Sequence, residues 1–257
     1  MSARQEPGRL YLVPTPLDFG CEVDAGLGAV LPDQAAATAA GLTHWITENA
    51  KSTRAFLKRV GSRHELAAPL QEQQITELPR QVHKKGDHEA GGFDARPLLD
   101  SALQGHDMGL VSEAGMPAIA DPGSSVVRAA HALGIEVVPL VGPISLMLAL
   151  AASGLNGQNF AFVGYLPADP AGRAQRIREL EALALKTGQT QIFIETPYRN
   201  AALLQGLLQA LKPQTRLAVA CGMTLPRQKV ASALVADWKK RQPALPLDLP
   251  AVFLIGK

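Results

Sequence analysis

The stretch Leu110-Val111-Ser112-Glu113-Ala114-Gly115-Met116-Pro117-Ala118-Ile119-Ala120-Asp121-Pro122-Gly123 runs from an apolar segment into a helical pattern that starts at Ser124. Its first two residues close the run Met108-Gly109-Leu110-Val111. A short apolar run bounded by turn residues reads as a strand buried on both faces, the signature of a parallel sheet. The rest of the stretch has small side chains and is rich in Gly and Pro, so a ligand can approach the backbone closely. Ligands of open α/β sheets bind beyond the carboxyl ends of the strands, which makes this loop a candidate site. Asp121 or Ser124 could cap the helix, and for Asp121 capping and a role in the site fit about equally. The loop lacks G-x-G-x-x-G and does not lead into Gly-Lys-Ser/Thr, so neither dinucleotide nor P-loop chemistry fits it.

Similar runs lie on either side. Strands are expected at 10–13, 44–47 and 135–138, and helices at 33–40, 50–60, 95–104 and 124–133. Alternating strand and helix predicts an α/β fold with a mostly parallel sheet. The later chain changes rhythm, with strands at 160–165, 189–194, 216–221, 229–233 and 251–255. Its helices are expected at 146–152, 173–186, 199–211 and 235–241. More strands and fewer crossovers predict a mixed sheet in a second domain. We place the domains at 1–141 and 142–257. Residues 71–92 are polar and charged and read as a loop region.

The chain has 257 residues, 47% hydrophobic and 19% charged, with a net charge of +2. That balance is no nucleic-acid footprint by itself. The apolar stretch 134–155 is interrupted by Glu136, Pro139, Gly142, Pro143 and Ser145. A spanning helix needs roughly 20 unbroken apolar residues, so no membrane span is expected. Two cysteines, Cys21 and Cys221, make no disulfide framework, and a polar start lacks a signal core. A soluble, cytoplasmic protein is expected.

Two more strand-end loops stand out. Pro14-Thr15-Pro16-Leu17 has its backbone fixed by two prolines and makes either a rigid wall or an ordinary strand exit. Gly142-Pro143-Ile144-Ser145 reads as a site loop or as a tight turn before an apolar helix. Glu48 and Glu195 both come after strands and lie near basic residues, so each is a candidate base, cap or ion-pair partner. The six histidines show no metal-ligand spacing, and no metal is expected. Asp87-His88-Glu89 reads as solvated surface, and neither cysteine reads as a nucleophile.

Taken together these loops resemble the tetrapyrrole methylase family, two-domain S-adenosylmethionine-dependent methyltransferases. Within it they are most similar to the 16S rRNA cytidine 2′-O-methyltransferase branch. The likeness is carried by Leu10 to Leu17, Glu48 with Thr53-Arg54, and Leu110 to Gly123. It continues through Val138-Pro139-Leu140-Val141-Gly142-Pro143, Gly164-Tyr165-Leu166-Pro167 and Glu195-Thr196-Pro197-Tyr198-Arg199. The resemblance implies S-adenosylmethionine in a cleft between the domains. Pro14 and Thr15 would line one side, and Ala114, Gly115, Met116 and Ile119 would contact it from the Gly-rich loop. Ile144 and Ser145 would lie near its sulfonium or carboxylate. Tyr198, Met223, Pro250 and Ala251 would close over the adenosine. Glu48 would serve as base, with Glu195 orienting.

The branch differs from this chain at the acceptor side. Its Ala-Glu-Asp-Thr-Arg is Thr47-Glu48-Asn49-Ala50-Lys51 here, the Asp of its Gly-rich loop is Glu113, the next Thr is Met116, and a His is Tyr198. The rRNA enzymes also carry a small C-terminal extension beyond the two family domains. Three functions fit: methyl transfer to rRNA, methyl transfer to a tetrapyrrole or similar small molecule, or donor binding without catalysis. The resemblance implies a homodimer, and no DNA partner is expected.

Overall fold

A computed structural model describes residues 6–18, 26–79, 82, 87 and 93–257. The chain forms two compact units, Met1–Ile144 and Ser145–Lys257.

The first unit is a five-stranded, all-parallel sheet in the order β3-β2-β4-β1-β5. Its strands are β1 (Leu10–Leu12), β2 (His44–Thr47), β3 (Gln74–Glu77), β4 (Met108–Val111) and β5 (Val137–Pro139). Its helices are α1 (Leu27–Val30), α2 (Asp33–Ala40), α3 (Ala50–Gly61), α4 (Asp100–Leu103) and α5 (Ser124–Ala132). All four residues of β4 are buried, as a central strand of a covered parallel sheet requires. One face of the sheet packs Trp45 against Phe56, Leu57 and Val60 of α3 and the alanines of α2. The other packs Leu10, Ile46 and Leu110 against Val126, Ala129 and Ala130 of α5. Each fully buried large apolar side chain contributes about 1.5–3 kcal/mol. Trp45 also keeps its one polar atom satisfied, its Nε1 donating to Gln73 Oε1 at 2.8 Å.

Helix α3 is started by two acceptors. Asn49 Oδ1 accepts from the amides of Lys51 (2.9 Å) and Ser52 (3.4 Å), and Glu77 Oε1 accepts from that of Ala50 at 2.7 Å.

Three expectations are corrected here. Strand β3 lies inside the region read as loop. It is an edge strand whose residues are half-buried at most, so it carries no apolar signal. The strand expected at 135–138 is shifted to Val137–Pro139, because Ile135 turns into the core instead and edge pairing tolerates Pro139. Asp87, read as solvated, is buried at 8% exposure. Cys21, His83, His88 and Glu89 lie outside the described residues.

The second unit is a mixed sheet in the order β6-β7-β10-β8-β9. Its strands are β6 (Phe160–Tyr165), β7 (Thr190–Glu195), β8 (Arg216–Cys221), β9 (Lys229–Leu234) and β10 (Ala251–Gly256). Only β6 and β7 pair in parallel. Its helices are α6 (Ser145–Ser153), α7 (Pro170–Thr187), α8 (Asn200–Ala210) and α9 (Val235–Lys240). Helix α7 starts three residues before the expected 173. Asp169 caps it, accepting from the Gly172 amide at 2.7 Å, and Pro170 takes the first helical position. The core joins Phe193 and Phe253 to Leu203, Leu204 and Leu207 of α8 and to Trp238. Among the described residues no helix is long and apolar enough to cross a membrane.

Candidate functional site

The loops after β1, β4 and β5 meet in the first unit. Thr15 and Gly115 form an isolated antiparallel bridge, with N–O distances of 2.9 and 3.1 Å. Thr15 Oγ1 also donates to the Ser112 carbonyl at 3.3 Å. Gly115 has φ +78°, and a Cβ there would stand 2.9 Å from Leu17. A Cβ on Gly142 would stand 2.2 Å from Pro14. Both glycines are therefore required by close approach.

Ala118 and Ala120 adopt left-handed backbone, with φ of 64° and 66°. Such residues cost about 1 kcal/mol or more each and persist only where their surroundings hold them. Just after them, Asp87 pins the end of the loop. Its Oδ2 accepts from the Gly123 amide (2.8 Å), the Ser125 amide (2.8 Å) and Ser125 Oγ (2.7 Å), and its Oδ1 accepts from Ser124 Oγ at 2.9 Å. So neither Asp121 nor Ser124 caps α5: the N-cap position is Gly123, and a carboxylate 36 residues away does the work. Burial by itself would raise the Asp87 pKa; the bonds from Ser125, Gly123 and Ser124 outweigh it, and the net result lies below the ordinary value.

Two cavities flank the loop. One, of about 550 Å³, is lined by Leu12, Met116, Ile119, Val127, Pro139 and Ile144, with Ser124 and Arg128 supplying polar atoms. The other, of about 280 Å³, is more polar and is lined by Thr15, Ser52, Thr53, Arg59, Ser112 and Glu113. Arg59 is ion-paired with Asp18 there at 2.5 Å.

Beside the loop three carboxyl groups repel one another. Burial raises Glu48 to about 7, helped by Glu113 and Asp87 and opposed by the Ser112 hydroxyl. Burial also raises Asp121 to about 7, helped by Glu48 and Glu113. Glu48 Oε1 and Ser112 Oγ are both buried, and the bond between these side chains falls short of full hydrogen-bond geometry. Glu113 Oε1 accepts from Asn49 Nδ2 at 2.8 Å. A carboxyl group poised near neutrality can take a proton from a bound hydroxyl.

The residues singled out from sequence divide between the units. In the first, Met116, Ile119 and Ile144 line the larger cavity, Thr15 lines the smaller, Pro14 packs under Gly142, and Ala114 is buried. In the second, Ser145 opens α6, while Glu195, Tyr198, Met223, Pro250 and Ala251 gather at one end of the sheet. Ala251 is in register with both Glu195 and Cys221, and the Pro250 carbonyl accepts from the Gly222 amide at 2.8 Å. Met223 is buried and Tyr198 is 82% exposed. Cys221 is buried on β8 and its thiol is pushed up to about 11 by burial, which leaves it inert.

Glu195 is an ion-pair partner. Its Oε1 accepts from Arg199 Nη2 (2.7 Å) and Nε (3.0 Å) and from the Thr196 amide at 2.8 Å. Its side chain is almost fully buried. Glu195→Ala leaves Arg199 and the Thr196 amide unmatched and is expected to lower the stability of the second unit by about 2–4 kcal/mol, read by chemical denaturation. No change in the denaturation midpoint would contradict that role.

Sequence reasoning missed Glu113, Asp121, Asp87 and Arg128 as site residues. Glu113 and Asp121 sit in the loop that was singled out, so position was their signal. Asp87 had none. Among the described residues no group of three His, Cys, Asp or Glu could hold a metal ion.

A parallel sheet with ligand-sized cavities at its strand ends, joined in sequence to a mixed sheet, defines a two-unit α/β ligand-binding protein. Residues 37–238 match the family of Tetrapyrrole (Corrin/Porphyrin) Methylases, and the chain belongs to that family. The chain is 38% identical to the ribosomal RNA small subunit methyltransferase I of Vibrio cholerae over 130 residues, 51% of this chain and 44% of that one. It is 34% identical to the protein of the same name from Mesorhizobium japonicum over 223 residues, 86% of this chain and 66% of that one. The chain thus spans about half to two thirds of the length of these curated relatives. The fold is similar to that of uroporphyrin-III C-methyl transferase from Thermus thermophilus, solved with S-adenyl homocysteine. There the TM-score is 0.52 and the identity 16%, over 97% of this chain and 98% of that one.

Proposed function

We propose that this protein is an S-adenosylmethionine-dependent methyltransferase acting on a ribose hydroxyl of ribosomal RNA. One observation carries the reading: a mostly apolar cavity of ligand size opens at the ends of β1 and β5 beside the Gly-rich loop, and Glu48, at the end of β2 in the same sheet, is held near neutrality by burial. Family membership and the names of the sequence relatives support it.

The apolar cavity, with Met116, Ile119 and Ile144 in its wall, fits the donor better than a phosphate-bearing cofactor. For Ser145, Tyr198, Met223, Pro250 and Ala251 the donor role rests on the resemblance. Bound S-adenosylmethionine supplies an activated methyl group. The Gly-rich loop, held by Thr15 and Asp87, fixes the reactants and excludes water; orientation of this kind is worth about 7–11 kcal/mol. Glu48 takes the hydroxyl proton as the acceptor oxygen attacks the methyl carbon, the sulfur–methyl bond breaking to release S-adenosylhomocysteine. Burial, with repulsion from Glu113 and Asp87, keeps Glu48 basic enough for that task. The reading also makes the protein a cytoplasmic homodimer.

Titration calorimetry with S-adenosylmethionine, followed by tritium transfer to small ribosomal subunits and to a small-molecule extract, tests it. Label in the RNA is the expected result, with a dimer in sedimentation velocity on the same sample. Label in the small-molecule fraction alone would reassign the acceptor, and no heat of donor binding would end the reading.

A further inference from the structure

We propose that the outward face of helix α3 holds the phosphate backbone of the RNA acceptor, with Lys51, Arg54 and Lys58 as the contacts; this rests on the RNA reading given above. The net charge of +2 conceals an uneven distribution. Residues 50–64 hold 5 of the 25 basic residues, Lys51, Arg54, Lys58, Arg59 and Arg63, and none of the 23 acidic ones. Two of the five are neutralised, Arg59 by Asp18 and Arg63 by Asp33. Lys51, Arg54 and Lys58 are all exposed, and none of them is ion-paired among the described residues. Spacings of three and four put them on one side of the helix. Phe56, Leu57 and Val60, on the other side, are in the core.

Position decides what such a stripe binds. Helix α3 begins two residues after Glu48, and Lys51 lies in its first turn. Ser52, Ala55 and Arg59, on the flank of the same helix, line the more polar cavity together with Ser112 and Glu113. The three cations span about 10 Å along the helix axis. That is the axial length of about three phosphates in a stacked strand. A strand laid along them brings a ribose to Glu48, while the carboxyl groups of Glu48, Glu113 and Asp121 keep phosphates out of the site itself. Contacts of this kind fix register without reading sequence. A membrane surface would need apolar anchors beside the cations, and none of the exposed large apolar side chains lies on α3.

The test is a salt titration of the full chain against a fluorescein-labelled single-stranded RNA of mixed sequence, read by anisotropy. Each phosphate contact on a single strand contributes about 0.7 to the slope of log K against log salt. In the triple variant Lys51→Gln, Arg54→Gln and Lys58→Gln the slope should become shallower by about 2, and the Kd at low salt should rise about tenfold or more. Each single variant should give about a third of the change in slope, which keeps the test open if the triple variant does not fold. Lys51→Arg with Lys58→Arg keeps the charge and should leave the slope as it is. A second triple variant, Lys239→Gln, Lys240→Gln and Arg241→Gln, removes the same charge from exposed positions of the second unit and should also leave it as it is. An unchanged melting temperature reports an intact fold in each. An unaltered slope in the α3 variants, or an equal change in both triple variants, overturns the assignment. Binding of a polyglutamate peptide as tight as that of the RNA overturns it in favour of an acidic protein. If the unaltered protein binds neither this RNA nor small ribosomal subunits, the RNA reading itself falls and takes this one with it.

Discussion

Glu48→Gln is expected to keep S-adenosylmethionine binding within about twofold and to lose methyl transfer by about 100-fold or more, the range for loss of a positioned general base. The same residue sets a pH dependence. Its carboxyl is raised from 4.5 to about 7 in the folded protein. The base is the ionised form, so turnover should climb with pH and level off above about 7. Stability runs the other way. Between 4.5 and about 7 the folded state binds more protons than the unfolded one, so the favourable contribution is complete below 4.5 and disappears as pH rises through 7. Full conversion of that displacement gives about 3 kcal/mol. Solvent still reaches Glu48 and reduces it to about 1–2 kcal/mol. Glu48→Gln should therefore be more stable than the unaltered protein at pH 8 and equal to it near pH 4. Asp121 titrates in the same window, so the observed midpoints belong to the cluster rather than to either residue. Full turnover by Glu48→Gln, measured as tritium transfer, would remove Glu48 from the mechanism.

Asp87→Ala should produce the largest loss of stability. It strips the acceptor from two buried amides and two hydroxyls at once. Each orphaned buried donor costs about 1–3 kcal/mol, but water entering the space left behind recovers part of that. The net expectation is about 3–5 kcal/mol, which lowers the first unit's melting temperature by about 10 °C. Asp87→Asn keeps one acceptor oxygen and should lose about half as much. Because the folded pKa of Asp87 is depressed, its contribution is present above the ordinary 3.8 and is lost as pH falls below it. The acid limb of the stability curve should therefore flatten in Asp87→Asn. Calorimetric melts from pH 3 to pH 8 would show this, and an unchanged melting temperature at pH 7 in Asp87→Ala would refute the holding role.

Much of the fold was legible because burial and apolarity coincide. Strands Phe160–Tyr165 and Arg216–Cys221 fall at the expected residues, as do His44–Thr47 and Met108–Val111. Strand β3 escaped because an edge strand needs only backbone pairing, and Gln74-Ile75-Thr76-Glu77 offers one half-buried apolar side chain. Glu48 could be found from its place at the end of a strand. Its environment could not, since the burial that raises it comes from the fold and the repulsion comes from Glu113 and Asp87, 65 and 39 positions away. Asp87 was invisible for the same reason in a stronger form. A polar triplet in a charged stretch looks solvated until a helix from elsewhere arrives to bury it.

The order of strands also governs when each unit can fold. In the first sheet β1 lies between β4 and β5, so the earliest strand to be synthesised waits for Met108–Val111 and Val137–Pro139 to appear beside it. In the second sheet β10 lies between β7 and β8, so a central position stays open until Ala251–Gly256 arrives. Pairings between such distant segments slow folding, and a waiting gap exposes strand edges to other chains. During synthesis both halves therefore pass through a stage with open strand edges, β1 in the first and β7 and β8 in the second. Yield from the ribosome should consequently depend on how well chaperones shield those strands until their late neighbours emerge.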